Sequence, residues 1–152
     1  MGNTTNLIVF RIDELRFAVS LEKVLKVIAV VEITPLPEAP IFIRGIINME
    51  GRIIPVADLR MRVGIAEKTI RLTDQIIVAS TPNRFIGLLV DSTEGIKSFL
   101  ESEIIPYGEV MPSLKHINGI AKITGDIIYI TNLDEFLSLE EEIILDNALK
   151  SV

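Results

Sequence analysis

The stretch Ile43-Arg44-Gly45-Ile46, followed by Gly51-Arg52-Ile53-Ile54-Pro55-Val56-Ala57-Asp58-Leu59, recurs further along the chain. Its second copy is Ile117-Asn118-Gly119-Ile120, followed at the same spacing by Gly125-Asp126-Ile127-Ile128-Tyr129-Ile130-Thr131-Asn132-Leu133. In each copy an apolar run meets a glycine turn and then a second run rich in β-branched residues, the pattern of a hairpin. The second run ends on Asp58 or Asn132, and either side chain can cap a short helix that starts at Leu59 or Leu133. Each copy therefore reads as a hairpin plus one helical turn. A weaker echo sets Arg16-Phe17-Ala18-Val19 beside Arg84-Phe85-Ile86-Gly87, which extends the repeat to two halves, residues 7–70 and 75–137.

A β unit of about 70 residues has a poor surface-to-volume ratio and would be marginal alone, so the halves should share a core. The expected architecture is mainly β: two small barrels sharing one core within a single domain over residues 1–152. Runs of Ile, Val and Phe bounded by Gly, Pro, Asn or Asp predict strands at 7–12, 15–20, 27–33, 45–49, 52–57, 75–80, 84–90, 95–99, 117–123 and 126–131. Asp13-Glu14, Glu50-Gly51, Thr81-Pro82-Asn83 and Thr124-Gly125 fit hairpin connections, so neighbouring strands should pair antiparallel. Thr34-Pro35-Leu36-Pro37-Glu38-Ala39-Pro40 is expected as an ordered loop, because proline lacks the donor a sheet needs. Residues 138–152 read as a C-terminal helix opened by a capping box of Ser138 and Glu141, with Leu139, Ile143, Ile144, Ala148 and Val152 on the face turned to the core.

Composition narrows the function. The chain carries a formal charge of −6, which opposes nucleic-acid binding, since phosphate contacts need a Lys/Arg surface. The one basic cluster, Arg60, Arg62, Lys68 and Arg71, is small and reads as solvated helix and loop surface. No cysteine is present, which removes disulfide frameworks, thiol catalysis and cysteine-based zinc sites, and fits a cytoplasmic setting. Although 49% of residues are apolar, charges or turn residues break every run well short of the roughly 18 needed for a membrane span. Residues 1–6 lack the basic and long apolar regions of a signal peptide, so neither export nor direct membrane insertion is expected.

Catalytic machinery is not visible. His116 is the single histidine and reads as an ordinary loop residue, with no nucleophile paired to it. Asp58 is accounted for as a helix cap, and Asp91 and Glu94, in the turn after an apolar strand, as structural or solvated charges. Neither a phosphate-binding loop nor the dinucleotide glycine fingerprint occurs. The chain is expected to be a docking protein and not an enzyme.

Read as one string, residues 40–60 closely resemble the signature region of the CheW-like coupling proteins of bacterial chemotaxis. The carrying residues are Ile43-Arg44-Gly45-Ile46-Ile47-Asn48-Met49-Glu50-Gly51 and Ile54-Pro55-Val56-Ala57-Asp58-Leu59. Leu7-Ile8-Val9-Phe10, Phe17-Ala18-Val19, Val24, Gly87-Leu88-Leu89-Val90-Asp91 and Gly119-Ile120 extend the likeness over residues 7–137. The resemblance implies two SH3-like five-stranded β-barrels with short helices, and an adaptor without cofactor. Such an adaptor links the cytoplasmic tips of chemoreceptors to the regulatory domain of the histidine kinase CheA and is recruited to membrane-associated receptor arrays. A scaffold in a non-chemotactic chemosensory pathway is the alternative. Carried over residue by residue, the partner-binding positions would be Val24, Lys26, Gly45, Glu50, Gly87, Thr93 and Ile96. Glu50 stands where the family commonly has Arg, and Lys26 where it commonly has Glu. That double reversal suggests an ion pair with inverted polarity.

Overall fold

The computed structural model describes residues 3–106, 116–123 and 125–152. Among them lie strands β1 (Thr4–Ile12), β2 (Leu15–Ser20), β3 (Val24–Ala29), β4 (Ile43–Met49), β5 (Arg52–Asp58), β6 (Gln75–Ser80), β7 (Phe85–Val90), β8 (Ser92–Leu100), β9 (Ile104–Pro106), β10 (Ile117–Ile123) and β11 (Asp126–Thr131). Helices α1 (Leu59–Arg62) and α2 (Leu139–Leu149) and the 3-10 turns Leu21–Lys23, Glu101–Glu103 and Leu133–Glu135, the last capped by Asn132, complete the described set. The expected hairpin turn at Thr124-Gly125 falls partly outside the described residues.

The strands form a six-stranded sheet in the order β8-β1-β2-β11-β10-β9 and a five-stranded sheet in the order β3-β6-β7-β5-β4. The first sheet therefore draws hairpin β1–β2 from the first half of the chain and the remaining strands from the second. The other sheet draws β3, β4 and β5 from the first half and hairpin β6–β7 from the second. The halves 7–70 and 75–137 are alike in sequence, yet neither is a barrel by itself, because each lends its leading hairpin to the other. Each exchanged hairpin attaches through one parallel pair, Ile130↔Ala18 or Val56↔Gly87, and one antiparallel pair, β1 with β8 or β6 with β3.

These pairings also correct the echo between β2 and β7. Val9 pairs with Ala18 and Val78 with Gly87, so Ala18 is the counterpart of Gly87, one residue off the sequence alignment. A one-residue slip moves every side chain to the opposite face, and burial requires the observed register.

Alternation along the strands sorts the apolar residues into three cores. Leu7, Val9, Ala18, Phe99, Ala121, Ile128 and Ile130 fill the first barrel. Ile47, Ile54, Val56, Ile76, Val78 and Leu89 fill the second. The opposite faces of the same strands, among them Ile8, Phe10, Phe17, Ile77, Ile86 and Leu88, meet in a shared core between the barrels. Both faces of the central strands are thus buried, which explains why they read as continuous apolar runs.

Each barrel closes in the same way. After β3 the chain returns to pair Thr34 with Ile46 of β4, through hydrogen bonds of 2.9 and 2.8 Å. In the first barrel β9 does this against β10, with Gly119 opposite Pro106. Gly45 is obligatory at the closure, since a Cβ there would lie 2.2 Å from the Thr34 carbonyl oxygen. Both copies carry a β-bulge at this point, between Ile43 and Gly45 and between Ile117 and Gly119, which turns Arg44 and Asn118 out of the ladder.

Strand β9 is absent from the sequence reading, β1 and β8 start three residues earlier than expected, and two further elements depart from that reading. Strand β3 is Val24–Ala29, not 27–33. Beyond Ala29 the chain leaves the ladder toward the closure at Thr34, so the apolar run 30–33 lies along a crossing. Helix α2 has the expected capping box, with Ser138 Oγ accepting from the Glu141 amide at 3.1 Å and Glu141 Oε1 accepting from the Ser138 amide at 2.8 Å. Its buried residues, however, are Glu142, Leu145 and Ala148, while Leu139 and Ile143 are 80% and 55% exposed. Ion pairs set this rotation: Arg62 holds Glu141 with two bonds of 2.7 Å, and Arg84 holds Glu142 at 2.6 Å as well as Asp146.

Candidate functional site

The β4–β5 turn places Glu50 at the surface. Glu50 (φ 54) and Gly51 (φ 83) both have positive φ, the geometry that matches the twist of a two-residue hairpin. The Asn48 side-chain oxygen accepts from the Gly51 amide at 2.9 Å and holds the turn. For glutamate such a conformation costs about 1–2 kcal/mol relative to glycine. Lys26 comes from β3, next to a bulge between Val24 and Lys26. Its Nζ lies 3.4 Å from Glu50 Oε1, so the two charges bridge the opposite edges of the barrel sheet. The expected pair is present, and the Glu50 side chain is 80% exposed.

The other expected positions behave differently. Val24 is half-buried and packs against the shared core. Ile96 on β8 is 60% exposed. Thr93, also on β8, gives its backbone N–H (2.7 Å) and its hydroxyl (3.1 Å) to Gln75 Oε1, which ties the two sheets together. Gly45 and Gly87 are buried, and a Cβ on Gly87 would lie 2.8 Å from Ile76 Cγ2. As buried residues without side chains they offer a partner no direct contact. They let backbone and core side chains approach closely instead.

A charge knot that the sequence did not reveal joins the two sheets at the far end of β5 from Glu50. The Arg60 side chain, only 6% exposed, donates from Nη1 and Nη2 to Asp13 at 2.8 Å, and from Nη2 to Asp91 at 2.7 Å. Lys68 Nζ reaches Asp91 at 3.1 Å, and the Asp13 amide donates to Asp91 Oδ2 at 2.7 Å. The Arg60 hydrogen bond holds the Asp13 carboxyl below its usual range, against a smaller opposing effect of burial. Burial would raise the Asp91 carboxyl, but hydrogen bonds from Arg60, the Asp13 backbone and Lys68 outweigh it and lower its pKa. The Arg60 guanidinium is raised, first by its bond to Asp13.

Arg60 and Arg62 are therefore interior fastenings, and the expectation of a solvated basic cluster is corrected for both. Arg62 lies with its guanidinium carbon 4.3 Å from the Phe42 ring centroid and donates to the Phe136 carbonyl at 2.7 Å. Only the tertiary fold brings their partners together, from a turn of β1–β2, the β7–β8 junction and helix α2. His116 is likewise buried, with its ring edge-on to Phe136 at 5.9 Å, and burial pushes its pKa down to about 4. It lies in the turn that enters β10, as expected of a loop residue, but is buried there and neutral. Among the described residues no group of three or more His, Cys, Asp or Glu side chains is placed to hold a metal ion, and no helix is long and apolar enough to cross a membrane.

Comparison with known proteins adds a family, two relatives and a solved structure. A family described as the CheW-like domain matches residues 6–141. The chain is 32% identical to the chemotaxis protein CheW of Rhizobium meliloti over 139 residues, covering 89% of this chain and 88% of that one. It is also 32% identical to the chemotaxis protein CheW of Thermotoga maritima, covering 84% of each. Among solved structures, the scaffolding protein TtCheW of Thermoanaerobacter tengcongensis superposes with a TM-score of 0.83 at 32% identity, covering 93% of this chain and 96% of that one.

Proposed function

The chain belongs to the CheW-like domain family, and from that premise we propose that it is a non-catalytic adaptor coupling chemoreceptors to the histidine kinase CheA. The observation that carries the reading is the end-to-end likeness to a solved scaffolding protein, with 93% and 96% of the two chains covered. The adaptor works from the cytoplasmic side, docking to the kinase's regulatory domain and to the cytoplasmic receptor tip within arrays. Its action is noncovalent: holding two partners in one assembly raises their effective concentration and transmits a conformational bias. A frame with three apolar cores and a charge knot around the buried Arg60 suits that task, because a compliant link would dissipate the bias.

The receptor-facing surface is centred on Lys26 and Glu50, with Ile96 exposed on the neighbouring barrel. Val24 and Thr93 support that surface, and Gly45 and Gly87 shape it from within. The reversed polarity of the Lys26–Glu50 pair selects receptors of complementary charge, since charged rims govern partner choice more than affinity. Sedimentation of receptor-tip fragments with the kinase tests this reading. The native chain brings both into one complex, whereas Lys26→Glu or Glu50→Arg alone depletes the receptor from it. Complexes that form equally well without the chain contradict the adaptor role.

A further inference from the structure

The two barrels are alike in closure but not at their mouths. In the second barrel the bulge residue Arg44 turns its guanidinium onto the helix-capping Asp58, with Nη1 2.8 Å from Asp58 Oδ2 and 3.1 Å from Glu67 Oε1. At the corresponding places the first barrel has Asn118 in the bulge and Asn132 as the cap. No arginine fills that mouth, and a cavity of about 280 Å³ opens there, lined by Leu7, Ile130 and Leu133 and by the polar residues Asn118, Thr131 and Asn132.

Thr131 stands where the second barrel has Ala57. It is 3% exposed, and its hydroxyl is buried without a hydrogen-bond partner among the described residues. A buried hydroxyl left unpaired costs free energy, so the site favours a polar group that the described residues do not supply. The rim fixes the sign of that group. Glu22 and Asp134 line the cavity, and an adjoining cleft that shares Thr5, Ser20 and Glu22 adds Glu101. Against these carboxylates stand Lys23, 3.4 Å from Asp134, and, in a second adjoining cleft that shares Asn118 and Asp134 and adds Glu135, Arg62, which is already bonded to Glu141.

We infer that the mouth of the first barrel receives an arginine side chain from a basic segment of a partner protein. The guanidinium would lie against Asn132 and Asp134 as that of Arg44 lies against Asp58, with Thr131 accepting one of its hydrogen bonds. The contact is separate from the Lys26–Glu50 surface, which lies on the other barrel.

The test is an NMR titration of the full chain with N-acetyl-arginine amide, using N-acetyl-citrulline amide as the uncharged control. Saturable shifts are expected at the amides of Asn118, Thr131 and Asn132, with a dissociation constant on the order of millimolar. Asn118→Arg, which provides an internal guanidinium at an exposed position, should abolish them. Glu22→Gln combined with Asp134→Asn should weaken binding severalfold and keeps the test decisive if the arginine variant fails to fold. Equal shifts with citrulline, non-saturating shifts spread over the acidic surface, or an unchanged titration in both variants would overturn the inference.

Discussion

Gly45 and Gly51 lie in one hairpin and separate two reasons for a glycine. At Gly45 a Cβ would meet the Thr34 carbonyl oxygen at 2.2 Å, whereas around Gly51 (φ +83) the space is open. Gly45→Ala should therefore destabilise the protein by roughly 2–3 kcal/mol, the upper part of the usual range for single substitutions, and Gly51→Ala by only about 1. Denaturant melts of both variants check this ordering. His116 supplies a pH signature. Its folded pKa of about 4 lies below the ordinary 6.5, so the unfolded chain takes up a proton first as pH falls. The stability due to neutral His116 is fully present above pH 6.5, declines below it and is gone near pH 4, a loss of up to roughly 3 kcal/mol. His116→Leu should flatten that slope, and an unchanged slope would locate the titration elsewhere. For Lys26 and Glu50, a double-mutant cycle should give only about 0.2–1 kcal/mol of coupling in folding, with a larger coupling in receptor binding. Their pairing was legible in the sequence from the family resemblance. The Arg60 knot was not, because its partners stand 47 and 31 residues away in sequence.

Strands bounded by a recognisable hairpin turn were read from the sequence almost to the residue, as at β2, which follows the Asp13-Glu14 turn and where the prediction 15–20 matches Leu15–Ser20. Strands that end without a turn residue were not. Strand β3 was misplaced because Val30, Val31 and Ile33 prolong its apolar character past the end of the ladder. Strand β9, only three residues long, gives too short a pattern to detect. Helix α2 shows a different limit. Its capping box was legible, but its buried face includes the carboxylate of Glu142, which no hydrophobic pattern anticipates. Because fastening by Arg62 and Arg84 orients the helix, Arg62→Ala should cost about 2 kcal/mol, through the lost packing on Phe42 and the unpaired, part-buried Glu141. Ser138→Ala should cost about 1 kcal/mol by removing the cap. Thermal melts that place Ser138→Ala below Arg62→Ala would show that the cap, not the ion pair, holds α2 in place.

At the scale of the molecule, the repeat told which strands are alike but not which strands pair. The exchange of hairpins follows from burial: β1 and β6 each have two apolar faces, one for a barrel interior and one for the shared core. Residues 1–72 alone would leave β1–β2 without β8 and β11, and β3–β5 without β6–β7. That fragment should aggregate through its unpaired edges, and the intact chain should unfold in one calorimetric transition. The proposed adaptor role draws on the likeness to a scaffolding protein, and calorimetric titration of the intact chain with the regulatory domain of the CheA encoded in the same genome tests it most directly. The adaptor reading predicts saturable binding near micromolar without nucleotide or metal, as suits a modest interface. No heat of binding to any such domain, with both proteins folded, would contradict it.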